Sequence, residues 1–271
     1  MRVWLAIIIA GLPAVALAQT GEGSLRVPHE IEGTEILDKR GARVPMDLQL
    51  TNQDGELISF GNYFAAGNTK PMILTLGYYK CPMLCSLVLN GLMDPLKDMS
   101  LKLGDDYSIL SVSINPTEKT DLAKSKQRNY LKAVQADRGW NFHVGSEEQV
   151  RKLADAVGFQ YKYHKASGEY IHSAGVFILS PDGVLSRTFY GINYPTRDVK
   201  LALIDASHGK IGSLVDRVIL SCFHYDPDSH KYGVYVFGVM RIGGLLTILI
   251  MGIVLLLYWR SERRDAVWKK A

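Results

Sequence analysis

Apolar and polar positions change period several times along the chain, and each change marks an element. Met46, Leu48 and Leu50 alternate with polar residues, and after Asn52-Gln53-Asp54-Gly55 apolar residues return at Leu57, Ile58 and Phe60. That is a hairpin pattern with Asp-Gly at its turn. Beyond Lys70-Pro71, residues 72 to 79 are apolar on both faces, which predicts a strand buried in the middle of a sheet. Leu84, Val88, Leu92 and Leu96 then recur every four residues, so residues 85 to 99 read as a helix with Pro82 near its start. Residues 107 to 114 repeat the buried-strand pattern until Pro116 ends it, and residues 117 to 136 return to helical spacing.

Residues 140 to 144 form a short strand pattern, and Ser146 opens a helix that Gly158 closes. Residues 159 to 164 alternate again, with Phe159, Tyr161 and Tyr163 on one face and His164 beside Lys162 on the other. Two apolar strands, 174 to 179 and 184 to 190, flank the turn Ser180-Pro181-Asp182-Gly183, and helical stretches follow at 196 to 207 and 211 to 221. A β-α-β-α-β order finished by a hairpin and a helix predicts an α/β protein. The leading arrangement is a thioredoxin-like mixed sheet flanked by helices.

Two long apolar runs frame this pattern. Residues 1 to 18 have a basic start, an apolar stretch and Ala16-Leu17-Ala18 before Gln19, the layout of a secretory signal peptide; an uncleaved anchor is the alternative. Residues 242 to 259 lie between Arg241 and Arg260, and as a helix they would span about 27 Å, enough to cross a bilayer. The segment from 260 to 271 carries five Lys/Arg against two acids, so the positive-inside rule places it in the cytoplasm and the main domain on the extracytoplasmic, periplasmic face. Residues 19 to 45 read as a polar lead-in, 46 to 207 as the globular domain and 208 to 241 as a juxtamembrane extension.

Composition narrows the functions. The net charge of +4 comes entirely from Arg2 and the basic tail, since residues 3 to 259 sum to zero. A nucleic-acid partner is therefore not expected. Only Cys81, Cys85 and Cys222 are present, and an odd number in an oxidising compartment argues against a disulfide scaffold.

Cys81-Pro82-Met83-Leu84-Cys85 sits where a buried strand hands over to a helix. A helix N-terminus favours thiolates, and three intervening residues put both sulfurs about one helical turn apart, able to face one ion. Thiolates are soft donors that prefer Cu(I), zinc or iron–sulfur, and an imidazole would complete a three-coordinate site. Of the seven histidines, His172 differs because it directly precedes the apolar strand from Ala174, on a loop entering the sheet. Spacing alone cannot bring it to the cysteines. Cys222 and His224, two residues apart ahead of the second apolar run, could offer a further soft site if extended; an ordinary juxtamembrane turn is the preferred reading.

Tyr79-Lys80-Cys81-Pro82-Met83-Leu84-Cys85, Ser111-Val112-Ser113-Ile114-Asn115-Pro116 and Ile171-His172-Ser173 ahead of Val176-Phe177-Ile178-Leu179 resemble the SenC/Sco family of copper proteins over residues 44 to 205. The resemblance implies a thioredoxin-like fold in which Cys81, Cys85 and His172 hold one copper ion, Cu(I) or Cu(II). It also implies a partner, cytochrome c oxidase subunit II or its copper-site assembly factors. The chain departs from the family in reading Ser-Ile-Asn-Pro where Ser-Val-Asp-Pro is usual, and in its C-terminal anchor, which resembles a subgroup with a C-terminal transmembrane extension. The expected function is a copper metallochaperone, a carrier more than an enzyme. The alternative is an extracytoplasmic thiol–disulfide oxidoreductase in which Cys81 and Cys85 cycle between dithiol and disulfide. A structural disulfide is a weaker third reading, because closing so short a loop constrains the unfolded chain little.

Overall fold

The structure, a computed structural model, describes residues 33–65, 67–81, 84–208, 223–226, 231–234, 244–245 and 247–253, with backbone alone at 84–85, 223–226 and 231–234. The signal segment, Cys222, the expected helix at 211 to 221 and the basic tail lie outside these residues.

A short hairpin opens the fold, β1 (Gln49–Asn52) and β2 (Leu57–Ser59), followed by a 3-10 turn at Phe60–Phe64. Then β3 (Met72–Gly77), α1 (Leu84–Asp98), β4 (Ser108–Ser113), α2 (Thr120–Ala133) and β5 (Trp140–Val144) form two successive parallel crossovers. After α3 (Glu147–Val157) comes a separate hairpin of β6 (Tyr161–His164) and β7 (Glu169–His172). The chain re-enters the sheet as β8 (Gly175–Leu179) and β9 (Leu185–Tyr190) and continues into α4 (Thr196–Ala206). The seven-stranded sheet runs β2-β1-β5-β4-β3-β8-β9, a mixed thioredoxin-like sheet with β3 near its centre. The extension contributes a further pair, β10 (Phe223–Asp226) with β11 (Lys231–Val234).

Alternation along the central strands feeds two cores. Ile73, Ile109, Trp140, Val176 and Ile178 face α1, α2 and α4, while Met72, Leu74, Leu110, Val112, Phe177 and Leu179 face α3 and the N-terminal hairpin. Both faces of β3 are therefore covered, which is why its sequence is apolar throughout. Ser146 caps α3 by accepting from Gln149 N–H, and Gly158 ends it at φ 79°, the left-handed conformation expected of a helix-closing glycine. At Gly91 the constraint is space: a Cβ there would collide with the Ile192 carbonyl oxygen, so only glycine lets α1 pass the β9–α4 loop so closely.

The apolar run near the C-terminus is helical at 244–245 and 247–253, with Leu245 64% and Ile248 66% exposed. Among the described residues, no helix is long and apolar enough to cross a membrane.

Candidate functional site

The site begins where β3 ends. Past Gly77 the chain turns through Tyr78, Tyr79 and Lys80, with the Cys81 N–H donating to the Tyr78 carbonyl at 3.2 Å. Cys81 is half-buried and packs against the core on the α3 side of the sheet. Cys85 lies in the first turn of α1, as its sequence position predicts; its side chain is outside the described ones.

Strand pairing brings the histidine to this end of the sheet. β3 and β8 run antiparallel with Thr75 opposite Val176. The chain leaving β3 towards Cys81 and the chain entering β8 from His172 thus lie at one end of the sheet, a relation that the 91 positions between Cys81 and His172 conceal. His172 is not on a loop, as its sequence setting predicts, but is the last residue of β7, opposite Tyr161. The hairpin reaches the cysteine turn through Tyr170, whose ring lies 5.6 Å from that of Tyr78.

The imidazole of His172 is buried, with Phe159 at 5.2 Å between centroids. Its Nδ1 stands 2.9 Å from the Ser173 carbonyl oxygen. A carbonyl can only accept, so Nδ1 carries the proton and Nε2 the lone pair, the tautomer a metal-binding imidazole needs. Burial lowers the pKa of this ring, opposed by the bond to Ser173, so the neutral form prevails at pH 7. Among the described residues no group of three His, Cys, Asp or Glu side chains could hold a metal ion, a set that lacks the Cys85 side chain. Two sulfurs and a neutral imidazole suit a soft or borderline ion such as copper.

One carboxylate at the site escaped the sequence reading. Glu118, in the loop between β4 and α2, is buried and accepts the N–H groups of Tyr79 at 2.8 Å and Lys80 at 2.7 Å. The Ser113 hydroxyl donates to it at 2.6 Å. No period marks Glu118; a carboxylate just after the Ser113-Ile114-Asn115-Pro116 stretch is the one available signal. Burial, with the Glu118 charge adding to it, pushes the Tyr79 hydroxyl far above the ordinary tyrosine pKa, and that hydroxyl lies 2.6 Å from the His143 carbonyl and 2.9 Å from that of Ser111. His164, on the Lys162 face of its strand, is half-buried and pairs with the Ser167 hydroxyl. His224 lies on β10 opposite Gly233, and the second soft site suggested for it depends on Cys222, outside the described residues.

No curated protein matches the sequence significantly. Solved structures do. Two crystal structures from Aquifex aeolicus VF5, of a candidate electron-transfer protein and a candidate electron-transport protein, are 25% and 26% identical, with TM-scores of 0.55 and 0.52. Each alignment covers 63% of this chain, and 96% and 99% of the respective relatives. A SCO1/SenC family lipoprotein from Bacillus anthracis str. Ames shares the fold at 20% identity and TM-score 0.50, over 64% of this chain and 98% of its own. The SCO1/SenC family model matches residues 38–203, which spans all the cysteine, histidine and glutamate positions of the site, and the chain belongs to that family.

Proposed function

We propose that the protein is a copper carrier in which Cys81, Cys85 and His172 hold one copper ion destined for the binuclear copper site of cytochrome c oxidase. Copper is cargo here, and subunit II or its assembly factors are the receiving partner. The observation that carries the reading is the antiparallel β3–β8 register, which sends the cysteine turn and His172 to one end of the sheet. Family membership and the imidazole tautomer support it. Two thiolates favour Cu(I), and the imidazole makes Cu(II) acceptable as well.

Signal peptide, C-terminal anchor, cytoplasmic tail and extracytoplasmic domain belong to the same proposal. Leu245, Ile248, Leu249, Ile250, Met251 and Ile253 are exposed on the isolated chain, as lipid-facing side chains would be. The basic tail after residue 259, with five Lys/Arg against two acids, supports the orientation.

The test is copper loading of the detergent-purified full chain beside Cys81→Ser, Cys85→Ser and His172→Ala. Stoichiometric copper with a thiolate-to-Cu(II) absorption band is expected for the wild type, and each substitution should weaken binding by about tenfold or more. Unchanged Cu(II) binding by His172→Ala would falsify the ligand set. A second reading, dithiol reduction of target cysteines, is favoured by the electron-transfer descriptions of the two Aquifex relatives. Fast disulfide exchange independent of metal would select it.

A further inference from the structure

We propose that Glu118 is a positioning residue for the Cys81/Cys85 pair, its buried carboxylate clamping the turn from which Cys81 departs. The inference rests on reading these cysteines as the working pair, whichever of copper or electrons they carry.

Glu118 is 6% exposed, and a carboxylate that leaves water must be repaid by strong partners. Its partners are at the cysteine turn: Oε2 accepts from Tyr79 N–H, and Oε1 from Lys80 N–H. Hydrogen bonds to a charged acceptor are short and about twice as strong as neutral ones. Together with the Cys81 N–H bond to Tyr78, they give the amides of residues 79, 80 and 81 one defined acceptor each.

The β4–α2 loop is shaped to deliver that carboxylate. Ser113 Oγ donates to Glu118 Oε2 and accepts the Asn115 N–H at 3.1 Å. Asn115 Oδ1 in turn accepts from the backbone and hydroxyl of Thr117, at 3.0 and 2.8 Å. The Asn that departs from the family pattern thus folds the loop on which Glu118 stands.

A clamp on residues 79 and 80 fixes one end of the Cys81–Cys85 segment. Oxidation joins the sulfurs: two thiols and one glutathione disulfide give the intramolecular disulfide and two glutathiones, with two electrons and two protons passing to glutathione. A disulfide prescribes its own geometry, with Cα atoms about 4.4–6.8 Å apart and the S–S torsion near a right angle, and so sets where Cys81 must stand. Three directed bonds at residues 79 to 81 resist any adjustment that this asks of Cys81, and the clamp thereby favours the dithiol, the form that binds a metal.

The experiment equilibrates the metal-free full chain in detergent with glutathione buffers at pH 7 and counts thiols by alkylation and mass spectrometry. In Glu118→Gln, whose amide nitrogen cannot accept an N–H, the equilibrium should move about tenfold towards the disulfide, with Tyr79 and Lys80 amides exchanging about tenfold faster. Ser113→Ala, a gentler cut, should shift the equilibrium in the same direction by about threefold. Faster exchange or a lower melting temperature with an unmoved equilibrium would leave Glu118 a purely structural residue and overturn the proposal. Should Glu118→Gln fail to fold, an unmoved equilibrium in Ser113→Ala overturns it alone. A wild type that binds no copper, with these shifts present in the two variants, refutes the copper reading and supports the clamp.

Discussion

The turn carrying Cys81 and the hairpin carrying His172 meet at one end of the sheet, but different forces hold them there. The turn is tied by directed bonds, three of them to the Glu118 carboxylate or within the turn itself, and each restricts angle as well as distance. The hairpin has directed bonds at its exit, where the Ser173 N–H and hydroxyl donate to the Thr34 carbonyl at 3.0 and 2.9 Å, but it meets the turn and the core through rings: Tyr170 on Tyr78, His172 on Phe159, and Phe159 on Tyr161 and Phe177. Ring pairs are favourable over centroid separations of about 4.5–7 Å, a wider range than a hydrogen bond allows. Where the two meet, the departure of Cys81 is consequently the more tightly specified side, and the ring contact of the hairpin the more adjustable one.

The harshest way to break this contrast is Phe159→Ala. Phe159 is fully buried and touches His172, so its truncation should lower stability by about 3–5 kcal/mol in urea unfolding and loosen copper binding together. Retained copper affinity in a folded Phe159→Ala protein would mean that rings do not place the imidazole. Acid probes the other arm. His143, beside Tyr63 at 2.9 Å and fully buried, has its pKa pushed down to about 4 by burial. Below about pH 6.5 the unfolded chain takes up a proton that the folded chain refuses, so stability falls with pH until about 4 and then levels off for this group. The loss should amount to about 3 kcal/mol, and His143→Gln, measured by urea unfolding at pH 7 and pH 4, should lack that share of it.

What could be read from sequence follows the same division between local and distant causes. The central strands announce themselves because both faces are covered, and α3 because Ser146 and Gly158 act on their own neighbours. β7 gives no such signal: Glu169, Tyr170, Ile171 and His172 show no clean alternation, and they form a strand because β6 pairs with them and rings pack between. Glu118 was silent for the same reason, since its partners Tyr79 and Lys80 lie 39 and 38 residues away. The cysteine turn was legible as chemistry, from residue types and spacing, yet that the hairpin ending in His172 comes to the same end of the sheet needed the β3–β8 register. A resemblance could supply that step; periodicity could not.

The mildest test separates rings that serve the site from rings that serve the hairpin. Tyr170 touches Tyr78 at 5.6 Å and Tyr163 at 5.1 Å, whereas Tyr163 is half-exposed and its ring meets Tyr170 on the hairpin itself. Replacing either by Leu keeps apolar bulk and removes an aromatic pair, at a cost of about 1 kcal/mol in urea unfolding. If the Tyr78–Tyr170 contact positions the imidazole arm, Tyr170→Leu should also weaken Cu(II) binding by about threefold to tenfold, while Tyr163→Leu leaves it unchanged. Equal losses of affinity in both would place the effect in the stiffness of the hairpin as a whole, and the adjustable half of the site would then be the β6–β7 pair rather than the contact that docks it.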